Sequence, residues 1–295
     1  MTQPPLPTDQ PFRIVGAPTE AAPILLSSPH SGREYPPAFL AQSRLTLGQL
    51  RRAEDAYVDE LLTESVALGV PLIAARYGRA YLDLNRDADE IDPGMIADPL
   101  PPSAGHASDR VAAGLGVLPR IAAHGLDIYA SRLRLAEVEG RLASLHRPYH
   151  RAICDMLDRA HRRHGYAVLL DCHSMPTPPG GPASAPQFVL GDLHGSAASP
   201  RLVDAVEGAI KASGFRVARN APYAGGYTTL HHADPANGVH VVQIEVDRAL
   251  YMDPARLTRH PGFGAVAATL RRVTSTVLTL APGLGLEGGQ RLAAE

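Results

Sequence analysis

The residues best placed to do chemistry in this sequence are His, Asp and Glu at the ends of apolar runs. Ala167 to Leu170 is a continuous apolar run of strand type that passes straight into Asp171-Cys172-His173-Ser174. Neighbours on a strand point to opposite faces, so Asp171 and His173 share a side and Cys172 faces away. An imidazole with a carboxylate beside it suits a metal-bound His and its supporting acid. A capped strand end with a surface His is the plain alternative. A second run, Pro23 to Ser27, feeds Ser28-Pro29-His30-Ser31-Gly32 and sets another imidazole on a strand-end loop. A third, Val239 to Val246, is interrupted by Glu245, and a carboxylate inside a buried strand is costly unless paired or functional. A fourth, Ala80 to Leu84, runs into Asn85-Arg86, where a planar guanidinium either clamps a substrate carboxylate or pairs with a neighbouring Asp.

The elements that must position these groups follow from periodicity. Phe12–Val15, Val70–Ala75, Gln187–Leu190 and Phe215–Ala218 add further strands, and strands alternate with helical patterns at 46–68, 118–164, 200–213 and 264–278. The 118–164 helix is expected to break near Arg147-Pro148. Alternation of this kind predicts an α/β fold: one domain over 12–280, with a mixed, mostly parallel twisted sheet flanked by helices, and loose tails at 1–11 and 281–295. In the 46–68 helix Thr46 is the expected N-cap, Gly69 the stop, and Glu54 falls within the apolar stripe with Asp55 beside it. Those carboxylates either meet a cation or belong to a solvated acidic face continued by Asp59, Glu60 and Glu64. The Pro-, Gly- and Asp-rich stretch 87–109 reads as a long loop that either covers a site or is disordered, and 177–185 reads as another Pro/Gly loop. Asn220 to Thr229 is a Gly–aromatic loop: Gly225 and Gly226 let backbone approach a ligand, and Tyr223 and Tyr227 offer hydroxyls. His146, His150, His161 and His164 read as structural. Gly283 to Gly288 matches a dinucleotide-binding pattern but follows a helix and leaves no room for a second strand. Cys172-His173 is no nucleophile dyad, because strand neighbours diverge.

Composition narrows the class. The chain has 295 residues, 45% hydrophobic and 20% charged, with a net charge of -2. It therefore carries no electrostatic footprint for nucleic acid. Two cysteines give no disulfide framework, no apolar run approaches membrane length, and the N-terminus lacks the pattern of a leader. These features predict a cytoplasmic protein with neither a membrane nor a nucleic-acid partner.

Together the fragments resemble the N-formylglutamate amidohydrolase family. The resemblance rests on Ser28-Pro-His30-Ser-Gly-Arg-Glu-Tyr-Pro36, Glu54-Asp55-Ala-Tyr-Val-Asp59, Tyr81-Leu-Asp83-Leu-Asn85-Arg86, Leu170-Asp-Cys-His173-Ser-Met-Pro176, Asn220-Ala-Pro-Tyr-Ala-Gly-Gly-Tyr-Thr228 and Gln243-Ile-Glu245-Val-Asp-Arg248-Ala-Leu-Tyr-Met252. These blocks occur in the family's order.

The family is related to zinc carboxypeptidases, so the resemblance implies a carboxypeptidase-like sheet and a zinc hydrolase site. By that likeness His30, Asp55 and His173 hold the metal and Glu245 is the catalytic acid–base. Asn85 and Arg86 bind a substrate carboxylate, while Tyr223, Gly226, Tyr227 and Arg248 line the rest of the pocket. One departure concerns the carboxylate ligand. Carboxypeptidases place it three residues after the first His, where this chain has Arg33. Asp55 fits the family pattern, helical phase favours Glu54, and Glu34 stands just past His30.

The implied activity is hydrolysis of N-formyl-L-glutamate to formate and L-glutamate, the last step of one histidine-degradation route. Another metal-dependent deacylase, amidase or carboxypeptidase-like hydrolase of small N-acyl amino acids would use the same residues. A metal- or ligand-binding protein without catalysis is the reading from a different class, and the presence of Glu245 argues against it. A serine hydrolase using Ser31 or Ser174 lacks its Gly-x-Ser-x-Gly elbow.

Overall fold

The fold is described from a computed structural model, over residues 10–16, 22–100, 108–122, 125–179 and 184–288. The backbone clusters into two compact units, each discontinuous in sequence. One comprises Met1–Arg13, Pro29–Ala56 and Ala74–Ala152; the other comprises Ile14–Ser28, Tyr57–Ile73 and Ile153–Glu295.

The strands of the main sheet, in chain order, are β1 (Phe12–Val15), β2 (Ile24–Ser28), β3 (Leu72–Ala75), β4 (Ala167–Met175), β5 (Phe188–Gly191), β6 (Val217–Arg219) and β7 (Val239–Asp247). Among the described residues these seven form one sheet in the order β1-β3-β2-β4-β7-β5-β6. β2, β4 and β7 run parallel, while β5 is antiparallel to β7 and parallel to β6. The sheet is mixed and mostly parallel, as expected. Every residue of β2, β3, β4 and β5 is buried, which explains why they read as continuous apolar runs rather than alternating ones.

The ten helices described are α1 (Pro37–Gln42), α2 (Leu47–Arg51), α3 (Val58–Leu61), α4 (Thr63–Val66), α5 (Asp109–Ala112), α6 (Leu135–Arg141), α7 (Arg147–His164), α8 (Pro200–Lys211), α9 (Tyr227–His232) and α10 (Phe263–Leu280). The long ones bury one stripe: Leu202, Val203, Val206 and Ile210 on α8, and Val266, Leu270, Val273 and Val277 on α10. None is long and apolar enough to cross a membrane.

Four expectations change. The 46–68 helix is three short ones. Thr46 does cap α2 through a capping box with Gln49, but Tyr57 takes φ 68 and breaks the run, leaving Glu54 and Asp55 on the connector. The 118–164 helix begins only at Leu135; α6 passes without a break through a π turn (Leu142–His146) into α7, and Pro148 follows directly on that π turn. Ala80–Leu84 is buried but is not a strand: Tyr81 N–H closes a turn onto Gly78 at 2.9 Å and Asp83 N–H reaches Val117 O at 2.8 Å. The start of the C-terminal stretch is packed, not loose, with Leu286 fully buried and its carbonyl 2.8 Å from His240 Nε2. The expected loops 87–109 and 177–185 and the tails lie partly outside the described residues.

Candidate active site

In the first unit, His30 follows β2 by two residues and is buried. Its Nε2 lies 2.6 Å from Asp83 Oδ1 and its Nδ1 lies 3.3 Å from Asp55 Oδ2. Asp55 is itself buried and is placed by its own N–H, which donates to His30 O at 3.0 Å. Asp83 is the residue that spacing did not single out. It accepts Arg79 Nη2 at 2.7 Å on one oxygen and Asn85 N–H at 2.9 Å on the other. Burial alone would raise its pKa, but Arg79 and the His30 imidazole hold it well below the usual carboxylate range. It is therefore a fixed anion that orients His30 through Nε2 and turns Nδ1 toward Asp55. Two ligands about 2.0–2.1 Å from a tetrahedral cation stand about 3.3 Å apart, and the His30–Asp55 separation fits that.

The competing carboxylates have other partners. Glu54 accepts Tyr35 Oη–H at 2.9 Å and faces Arg51 Nε at 3.3 Å; burial raises its pKa to about 7. Glu34, its side chain 47% exposed, pairs with Arg76 at 3.0 Å.

The Asn85-Arg86 segment is held from below by the α6–α7 rod. Arg141 donates to Tyr81 O at 3.0 Å and stacks 4.1 Å from the Tyr81 ring. His150 Nε2 donates to Leu84 O and His146 Nε2 to Arg86 O, each at 2.8 Å. These two His thus fix the backbone around Arg86. They are four apart with the π turn directly before α7, and their rings stand 4.5 Å apart. Arg86 donates Nε to Leu115 O and Nη1 to Asn85 O at 2.8 Å each, while Asp83 takes its ion pair from Arg79.

In the second unit, β4 continues through the expected strand end to Met175, so Asp171 and His173 sit on it side by side. His173 Nε2 meets Asp171 Oδ2 at 2.9 Å, and Asp171 accepts the Ser27 hydroxyl at 2.5 Å. Cys172 faces the other way; burial pushes its thiol pKa far up, so it is inert as a nucleophile. On β7, Asp171 registers with Gln243 and His173 with Glu245. Gln243 donates to Glu245 Oε1 at 3.0 Å. Asp171, His173, Gln243 and Glu245 therefore form a two-by-two polar patch on one face of an otherwise apolar parallel sheet. All four are less than 10% exposed, and burying such a patch is costly unless it has a use. The period of two that pairs Asp171 with His173 also pairs Gln243 with Glu245, so Gln243 was open to the same reasoning.

The remaining predicted residues are more scattered. Arg248 Nη2 donates to Ser174 O at 2.9 Å, just past His173. Gly226 caps α9, Tyr227 begins it and stacks on His231 at 4.8 Å, and Tyr223 is 38% exposed. Gly225, at φ 135, is needed for packing: a Cβ there would stand 2.9 Å from Leu193 Cδ2.

Comparisons with known proteins converge. The sequence profile described as N-formylglutamate amidohydrolase matches residues 22–252. An N-formylglutamate deformylase of Pseudomonas putida is 30% identical over 239 residues, covering 78% of this chain and 82% of the relative. A deformylase of Pseudomonas aeruginosa matches at 30% over 236 residues with the same coverage. The crystal structure of an N-formylglutamate amidohydrolase from Ralstonia eutropha JMP134 aligns with a TM-score of 0.85 at 33% identity, over 92% of this chain and 98% of that one. With its profile, its sequence relatives and its fold in agreement, the chain belongs to the N-formylglutamate amidohydrolase family.

Proposed function

We propose that this chain hydrolyses the formamide bond of N-formyl-L-glutamate, releasing formate and L-glutamate as the last step of a histidine-degradation route in the cytoplasm. Family membership supplies the reaction class. The observation that carries the reading is the register of His173 with Glu245, which sets a metal-type His and a buried carboxylate side by side at the ends of two parallel strands. The strand on the other side of β4 registers Ser27 with Asp171 and leads within three residues to His30.

His30, Asp55 and His173 are the residues that would hold one divalent cation, His30 through Nδ1 and each His backed at Nε2 by a buried Asp. Two imidazoles and a carboxylate suit a borderline cation such as zinc. When bound, the cation supplies Lewis-acid polarisation of the formyl carbonyl and acidifies water. Glu245 accepts the proton of the attacking water and later delivers it to the departing amine nitrogen. Gln243 limits rotation of that carboxylate by holding one of its oxygens. Arg86, its fork pinned by Leu115 O and Asn85 O, binds one substrate carboxylate with Asn85 beside it. Arg248, braced on Ser174 O, takes the other end of the dicarboxylate with Tyr223 or Tyr227, beside the Gly226 turn.

The test is formate release from N-formyl-L-glutamate by metal-loaded protein. Glu245→Gln should lower turnover by about 10²–10⁴-fold with the metal still bound. Near-normal turnover of that variant would remove Glu245 from proton transfer. Failure of folded, loaded wild type to release formate would point instead to another small N-acyl amino acid.

A further inference from the structure

The second unit contains another donor set that the hydrolytic chemistry does not use. Cys154 lies on α7, one turn beyond His150, and His231 and His232 close the C-terminal end of α9. One ligand atom from each of the three lies within 4.8 Å of the others. Cys154 Sγ and His232 Nδ1 are 3.6 Å apart. A thiolate about 2.3 Å and an imidazole about 2.0–2.1 Å from one tetrahedral cation would stand about 3.5 Å apart, so that pair already has ligand spacing.

We propose that Cys154, His231 and His232 form a second metal site, selective for a thiophilic, borderline-soft divalent cation of the zinc type. One thiolate and two imidazoles are the donors such ions prefer over oxygen-seeking calcium or magnesium. His232 is buried and His231 is exposed, so the ion would have a fixed ligand on the protein side and an approach from solvent. The two His rings meet edge to face at 4.8 Å, and Tyr227 stacks on His231, limiting its rotation. The carboxylates of Asp155 and Asp158 neighbour Cys154 and favour an incoming positive charge. Three protein ligands leave a fourth position for water. Occupancy ties α9 to α7, and α9 starts at Tyr227 with Gly226 as its cap. A cation here would therefore steady that end of the Asn220–Tyr227 loop without taking part in the reaction.

Cobalt titration of the full-length, chelator-stripped protein tests this, because a Co²⁺–thiolate bond gives a sulfur-to-metal charge-transfer band that His and Asp ligands cannot give. Wild type is expected to take up two equivalents, one of them with the band. Cys154→Ser should lose the band and one equivalent, and His231→Ala should do the same. The double variant His30→Ala/His173→Ala should keep one equivalent with the band, and Cys172→Ser should change nothing. Absence of the band from cobalt-saturated wild type would overturn the site. So would its survival in Cys154→Ser.

Discussion

Replacing Asp83 by Asn separates the supporting role of this residue from ligation itself. Asp83 Oδ1 sits 2.6 Å from His30 Nε2 and 2.9 Å from Asn85 N–H, and Oδ2 accepts Arg79 at 2.7 Å. Asn at this position keeps one oxygen for His30 and the Asn85 amide but turns an NH₂ toward Arg79, setting donor against donor. The charge that holds His30 in one tautomer, with Nδ1 toward Asp55, is also lost. Outer carboxylates of this kind are worth about 10–100-fold in metal affinity, which is about 1.4–2.7 kcal/mol. The Arg79 pair adds little beyond that, because its guanidinium side is partly solvated. The expected result is a zinc Kd raised about 10–100-fold, measured by competition with a chelator of known affinity. Far-ultraviolet circular dichroism should match that of wild type. A Kd within about threefold of wild type would refute the view that Asp83 orients a metal-bound His30.

Arg86→Ala should raise KM for N-formyl-L-glutamate by about 10–100-fold, the worth of a charge-assisted contact, with a smaller change in kcat. An unchanged KM would show that the Arg86 fork does not bind the substrate. Glu54 makes a prediction about pH. Its folded pKa of about 7 lies above the ordinary 4.5, so the native state holds this proton more tightly than the unfolded chain does. Its contribution to stability is complete below about pH 4.5 and is lost as pH rises through 7, an effect of up to about 3 kcal/mol. Glu54→Gln should flatten the fall in unfolding free energy between pH 5 and 8 in urea titrations of the metal-free protein. An identical slope in variant and wild type would refute the burial of Glu54 as its cause.

Much of this was legible in the sequence because buried parallel strands advertise themselves. β2, β4 and β7 read as apolar runs, and the polar residues that interrupt or follow them, His30, His173 and Glu245, could be picked out for that reason. Register is a property of pairing, so the placement of His173 opposite Glu245 could not be read from either strand alone. Helix 46–68 misled because its apolar spacing persists through Tyr57, and nothing local announces that a Tyr adopts φ 68. Ala80–Leu84 misled for a related reason. It is as buried as a strand, but two of its carbonyls, Tyr81 O and Leu84 O, are met by Arg141 and His150, which lie about sixty residues away. Asp83 stayed hidden in that misreading, since its partner His30 is 53 residues distant.

The most direct test is formate release from N-formyl-L-glutamate by chelator-stripped and zinc-reloaded protein, assayed side by side. Release should vanish on stripping and return on reloading with zinc. Release that survives complete stripping would refute the metal-dependent mechanism.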